Sequence, residues 1–118
     1  RDIERRVLVR ITLDLEQHST SYDAADSKAA RLDALAGGLG QVLVENQQLW
    51  SALKHDLADP GNSLPPDLRA SLISLALWVE RQTNLVVAGT GRVKPLISVN
   101  RSISSGLASK DALAPEGA

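Results

Sequence analysis

The chain has 118 residues, of which 43% are hydrophobic and 23% charged, with a formal net charge of −1. A single domain of that length can bury about two-thirds of its unfolded surface, and a chain so close to neutral has no basic patch on which phosphate neutralisation could found nucleic-acid affinity. The absence of cysteine excludes disulfides, thiol nucleophiles and thiolate metal sites, and with no Phe or Met the core must be aliphatic.

The pattern predicts an all-α fold, a compact bundle of helices over 2–17, 28–58, 66–88 and 95–106. In the first, Asp2 is placed to cap and Glu4 to favour the helix dipole. Ile3, Val7, Leu8, Ile11 and Leu15 share one arc about 140° wide. Val9 and Leu13 lie outside it, which predicts contact on a second side. The polar run Ser19-Thr-Ser-Tyr-Asp23 competes with the backbone for hydrogen bonds and predicts a break.

The second helix contains Gly37, Gly38 and Gly40, each costing about 1 kcal/mol relative to alanine. Leu32, Leu35, Leu39, Val42, Leu43, Leu49, Trp50, Leu53 and Leu57 nevertheless keep one phase, so the prediction is a single long helix, bent at the glycines. Asn46 falls within that stripe and needs hydrogen-bond partners once buried. Asp59-Pro60-Gly61-Asn62-Ser63 reads as a stop and turn.

Pro65 and Pro66 suit a helix start, and Gly89 a helix end. Leu68, Leu72, Leu75, Ala76, Val79, Thr83 and Val86 form the main stripe of the third helix. Ile73 and Leu77 flank it on one side, Trp78 and Leu85 on the other. A helix apolar nearly all round demands burial on several sides, one of which is free for a partner. The last helix places Leu96, Val99, Asn100, Ile103 and Leu107 on one face and is expected to end near Gly106. The domain then covers 1–107, and 108–118 form a flexible, frayed tail.

Catalytic and metal-binding patterns are thin. Ser51-Ala-Leu-Lys54 has serine–lysine enzyme spacing but sits on the polar side of a helix without companion motifs. His55 and Asp59 have helical ligand spacing but no third ligand. Gly38-Leu-Gly40 and Gly89-Thr-Gly91 lack the strand and spacing of a phosphate loop. The expectation is no enzyme, no cofactor, no metal and no small-molecule substrate. The apolar run 72–79 is less than half a membrane span, and Arg1, Asp2, Glu4, Arg5 and Arg6 do not open a signal peptide. A soluble, cytoplasmic protein is expected.

Excess apolar helix surface is a binding feature, and an amphipathic helix can fill a groove between two helices. The expected partner-binding residues are Trp50, Ile73, Leu77, Trp78 and Leu85, with Arg81 and Arg101 as rim charges that fix register. Asn46 and Asn100 are expected to be structural polar residues.

Three strings carry a more specific pattern. They are Asn46-Gln-Gln-Leu49-Trp50-Ser-Ala-Leu53-Lys-His-Asp56-Leu57, then Asp59-Pro-Gly61-Asn62-Ser-Leu64-Pro65-Pro-Asp-Leu68-Arg-Ala-Ser-Leu72-Ile73-Ser-Leu75-Ala76-Leu-Trp78-Val79. The third is Pro95-Leu96-Ile97-Ser-Val-Asn100-Arg101-Ser-Ile103-Ser-Ser-Gly106-Leu107. In order and spacing they resemble the FlaF family of flagellar biosynthesis regulators of alphaproteobacteria, from Arg1 to Leu107. The resemblance implies a cytoplasmic helical protein needed for flagellin production and export, binding flagellin as an export chaperone; the apolar helical face is expected to receive a terminal helical segment of flagellin. It names FlbT, a repressor acting on flagellin message, as a further candidate partner. Regulation of flagellin expression, through FlbT or on the message itself, is the alternative. Direct RNA binding is disfavoured, because Arg1, Arg5, Arg6 and Arg10 are interleaved with Asp2, Glu4 and Asp14 and lack stacking aromatics. The family usually has a further stretch ahead of the segment matching Arg1, which implies an N-terminally shortened chain, and Gln47-Gln48 replaces an expected basic residue.

Overall fold

A computed structural model describes the backbone of residues 2–117 and the side chains of residues 4–106. In chain order the helices are α1 (Asp2–Asp23), α2 (Lys28–Ala34), α3 (Gly40–Ala58), α4 (Pro66–Val87) and α5 (Lys94–Gly117), with a π-helical turn at Leu35–Leu39 joining α2 to α3. No strand occurs among the described residues. α1 lies along α5 and α3 along α4, while α4 and α5 barely meet, so α4 is an outer rod of the bundle. The proposed caps and contacts of Asp2 and Ile3 fall outside the described side chains.

The core is aliphatic. Ile11 and Leu15 of α1 join Leu39, Leu43, Val79, Val86, Val93 and Leu96 in one cluster, all 2% exposed or less, and Leu8 is 1% exposed. Val9 and Leu13 do not find the second contact expected of them; they are 38% and 59% exposed. Thr12 is buried on their flank and donates its hydroxyl to the Leu8 carbonyl at 2.6 Å, so this hydroxyl is satisfied within the helix.

α1 also runs past residue 17, where the polar run predicted a break, to Asp23. Tertiary contacts outweigh local propensity here. Tyr22 is fully buried, and its hydroxyl donates to the Val86 carbonyl at 2.7 Å and lies 3.0 Å from that of Thr90. Asp23 accepts the amides of Val93 and Lys94 at 2.8 and 3.0 Å, capping α5 from another helix. Arg31 adds a 2.6 Å bond to the Gly89 carbonyl. This end of the bundle is therefore clasped by side chains that read as loop formers.

Burial pushes the Tyr22 hydroxyl above its ordinary value of 10.0, opposed by the Arg31 charge and aided by Asp23. The neutral phenol is the form the fold stabilises. Its contribution is complete below pH 10 and is lost as pH rises through the higher folded value. Because Tyr22 is the sole tyrosine, phenolate absorbance reads it alone. The expected result is ionisation later than that of free tyrosine and coupled to alkaline unfolding, with that part of the pH dependence missing in Tyr22→Phe.

The rod from α2 to α3 is continuous but kinked at the glycines. Gly40 donates its amide to the Leu35 carbonyl, a bond that spans one residue more than the α-helical one, and Gly38 has φ 121° and ψ −25°. The extra residue shifts the stripe's phase, so Leu32, which an unbroken helix would turn inward, is 43% exposed. A Cβ at Gly38 would also lie 2.8 Å from the His18 ring, whereas one at Gly37 meets nothing within 4 Å. Gly38→Ala should cost about 1–3 kcal/mol in urea unfolding. Gly37→Ala should be neutral to stabilising by up to about 1 kcal/mol. Adding His18→Ala should not rescue Gly38→Ala, because the backbone strain persists.

The turn at Asp59 is as the sequence suggested: the Gly61 amide donates to Asp59 Oδ1 at 2.8 Å and the Leu64 amide to Asn62 Oδ1 at 2.9 Å. α4 starts at Pro66 with Asp67 in its first turn. It ends in a Schellman motif, with Gly89 bonded to Val86, Thr90 to Leu85, and Gly89 at φ 84°. α5 passes through Gly106, where a stop was expected; one helical glycine costs only about 1 kcal/mol and does not end a helix alone. The side chains of the expected tail, 108–118, lie outside those described.

Candidate functional site: an apolar cleft beside the α3–α4 turn

The inward stripes of α3 and α4 outrun the core at the end nearest their connecting turn. Ala76, Val79, Thr83 and Val86 of the α4 stripe are buried, but Leu72 is half-buried and Leu68 is 41% exposed. Facing them, α3 brings Leu49, Trp50, Leu53 and Leu57, and the turn adds Leu64. Leu8 of α1 and Ile103 of α5 complete an open cleft of about 330 Å³. Glu4 of α1 and Gly106 of α5 also line it, at its ends nearest the chain termini.

Trp50 forms the cleft floor and is only 2% exposed. Its indole N–H donates to Asn100 Oδ1 at 2.8 Å, and Asn100 Nδ2 donates to Asn46 Oδ1 at 2.7 Å. The direction of this chain is forced. An indole can only donate, so Asn100 must turn its oxygen to Trp50 and its amide nitrogen to Asn46. Both asparagines are fully buried, and Asn46 Nδ2 has no partner among the described residues. The relay ties α5 to α3 directly behind the cleft wall.

The other residues expected at a partner surface lie elsewhere. Ile73 and Trp78 of α4 are half-buried, with Trp78 packed on the core edge, while Leu77 and Leu85 are 39% and 49% exposed. With the exposed Arg81 they share α4's outer face, and none of them lines the cleft. Arg101 is exposed and ion-paired with Glu16 across the α1–α5 seam. The cleft residues Leu49, Leu53, Leu57, Leu68 and Leu72 read in the sequence as ordinary inward stripe. The signal that could have separated them is positional: they lie toward the Asp59 turn, at the end of the α3–α4 pair.

No group of three or more His, Cys, Asp or Glu among the described residues could hold a metal ion, and no described helix is long and apolar enough to cross a membrane. What fold and cleft define is a small all-α protein with an aliphatic trough at one end of its bundle. A family model described as flagellar protein FlaF matches residues 1–107, and the chain belongs to the FlaF family of flagellar proteins. No curated protein and no solved structure gives a significant match.

Proposed function

We propose that this FlaF-family chain is a cytoplasmic export chaperone for flagellin, holding the apolar face of a terminal helical segment before secretion. The observation that carries the reading is the aliphatic cleft: eight leucine and isoleucine side chains drawn from four helices and a turn line it, with Trp50 as floor. Single exposed leucines are normal on any surface, but a concave run of them is a seat for another chain. Burying two aliphatic anchors contributes about 3–6 kcal/mol. After the cost of docking, affinity in the range of about μM to nM follows with the flanking contacts, weak enough for release at the export gate.

α4's outer face, with Leu77, Arg81 and Leu85, is the rival seat; it is convex helix surface without a trough. Regulation through RNA has less support, since Arg10 is committed to Asp14 and Glu45, each at 3.1 Å. The test is capture of flagellin by the tagged chain from a flagellated lysate, together with suppression of flagellin aggregation in vitro. Retention of FlbT or RNA without flagellin would replace this reading with the regulatory one.

A further inference from the structure

α4 is an outer rod, and its outward face carries a leucine where a solvated helix face would carry lysine or glutamate. Asp67, Ala70, Ser74, Leu77 and Arg81 follow one another at three- and four-residue spacing, all of them exposed, and half-buried Trp78 borders the stripe. Leu77, its one large aliphatic residue, is 39% exposed. The two charges on the stripe are opposite in sign. Asp67 stands in the first turn of α4, seven residues before Ser74, and Arg81 stands seven residues after it. Neither forms an ion pair or a side-chain hydrogen bond among the described residues.

Within one chain these charges cannot meet, because the helix holds them roughly 21 Å apart. A second copy of α4 running antiparallel brings them together twice. A two-fold axis at Ser74 sets Arg81 of each copy beside Asp67 of the other, and an isologous contact demands such a self-complementary patch. The same axis lays Leu77 of each copy against Ala70 and Ser74 of the other, where short side chains let the ridges of two convex helices interdigitate. A parallel pairing would oppose Arg81 to Arg81 and Asp67 to Asp67, so the charges also select the direction.

We infer that the chain associates with a second copy of itself as a two-fold dimer through antiparallel α4 helices, with Arg81 of each copy paired to Asp67 of the other. The contact is one helix wide with one aliphatic anchor per copy, which places it in the weak, transient class, at a Kd of about 10–100 μM. Leu68 and Leu72 line the cleft from the opposite side of α4, so dimer and chaperone seat stand or fall separately.

The test is sedimentation equilibrium of the purified full chain, without flagellin, from about 1 to 500 μM, a range that brackets the expected Kd. The wild-type chain should pass from monomer to dimer across it, and less readily in high salt. Arg81→Asp and Asp67→Arg each place like charges at both contacts and should weaken self-association at least about tenfold. Mixed with each other, the two variants regain opposite charges at both contacts and should associate about as tightly as the wild type. A chain that stays monomeric throughout, a dimer indifferent to either reversal, or a mixture that fails to associate overturns the inference. Where a reversal fails to fold by circular dichroism, Leu77→Asp tests the same face: it should be monomeric, and a dimer retained in it overturns the inference as well.

Discussion

Leu53→Asp should reduce flagellin capture at least about 100-fold, with the circular dichroism of the variant still helical. Leu53 is half-buried on the cleft wall, so the new carboxylate stays hydrated in the free protein but must lose water beneath a docked apolar helix. An unpaired charge at such a contact costs several kcal/mol, and about 2.7 kcal/mol already makes 100-fold. Leu68→Asp, at a position 41% exposed on the opposite wall, should act alike with even less risk to folding. Leu77→Asp on α4's outer face is the matched control and should leave capture within about threefold, as surface substitutions usually do. Capture lost in Leu77→Asp and Leu85→Asp, and retained in the two cleft variants, would move the seat to the outer face of α4.

The second large effect concerns stability. Asn100→Ala removes both bonds of the relay and leaves the Trp50 N–H and the Asn46 Oδ1 buried without partners. Each orphaned group costs about 1–3 kcal/mol, so a total of about 2–6 kcal/mol is expected, equivalent to roughly 8–24 °C in Tm at this chain length. Asn100→Asp should be little better, because a buried carboxylate can accept from the indole but cannot donate to Asn46. Trp50→Phe removes the donor that dictates the relay's direction. Combined with Asn100→Ala, it should cost less than the sum of the two single losses, measured by urea unfolding in a double-mutant cycle. Full additivity would mean that the relay is not an energetic unit.

The main lines of the fold were legible in the sequence because helical periodicity and turn chemistry are local. The stripe through Val79, Thr83 and Val86, the stop at Asp59, the Pro66 start and the Gly89 end all follow from neighbours within a turn or two. The departures arise where distant groups decide. Nothing near Tyr22 indicates that Val86 and Thr90 wait for its hydroxyl, so Ser19-Thr-Ser-Tyr-Asp23 reads as a loop and folds as helix. Nothing near Leu32 announces the extra residue of the π turn at Gly38, which rotates that leucine outward. Asn46 and Asn100 are apparent as buried polar residues, but their union with Trp50 spans three positions on two helices.

The cleft was the least legible feature. Surplus apolar surface pointed to α4's outer face, since Leu77, Trp78 and Leu85 fall outside the main stripe. The open trough is made instead from the main stripes of α3 and α4, at the end nearest their connecting turn. Whether an inward residue is covered depends on which turn of which helix stands opposite, and periodicity along one helix does not contain that.

The most direct measurement is photo-crosslinking to flagellin from a benzophenone side chain at position 53, compared with one at position 77, with the crosslinked peptide identified by mass spectrometry. A product from position 53 joined to a terminal helical segment of flagellin is expected, with little or none from position 77. A flagellin product from position 77 alone, or none from either while flagellin is still captured, would contradict it.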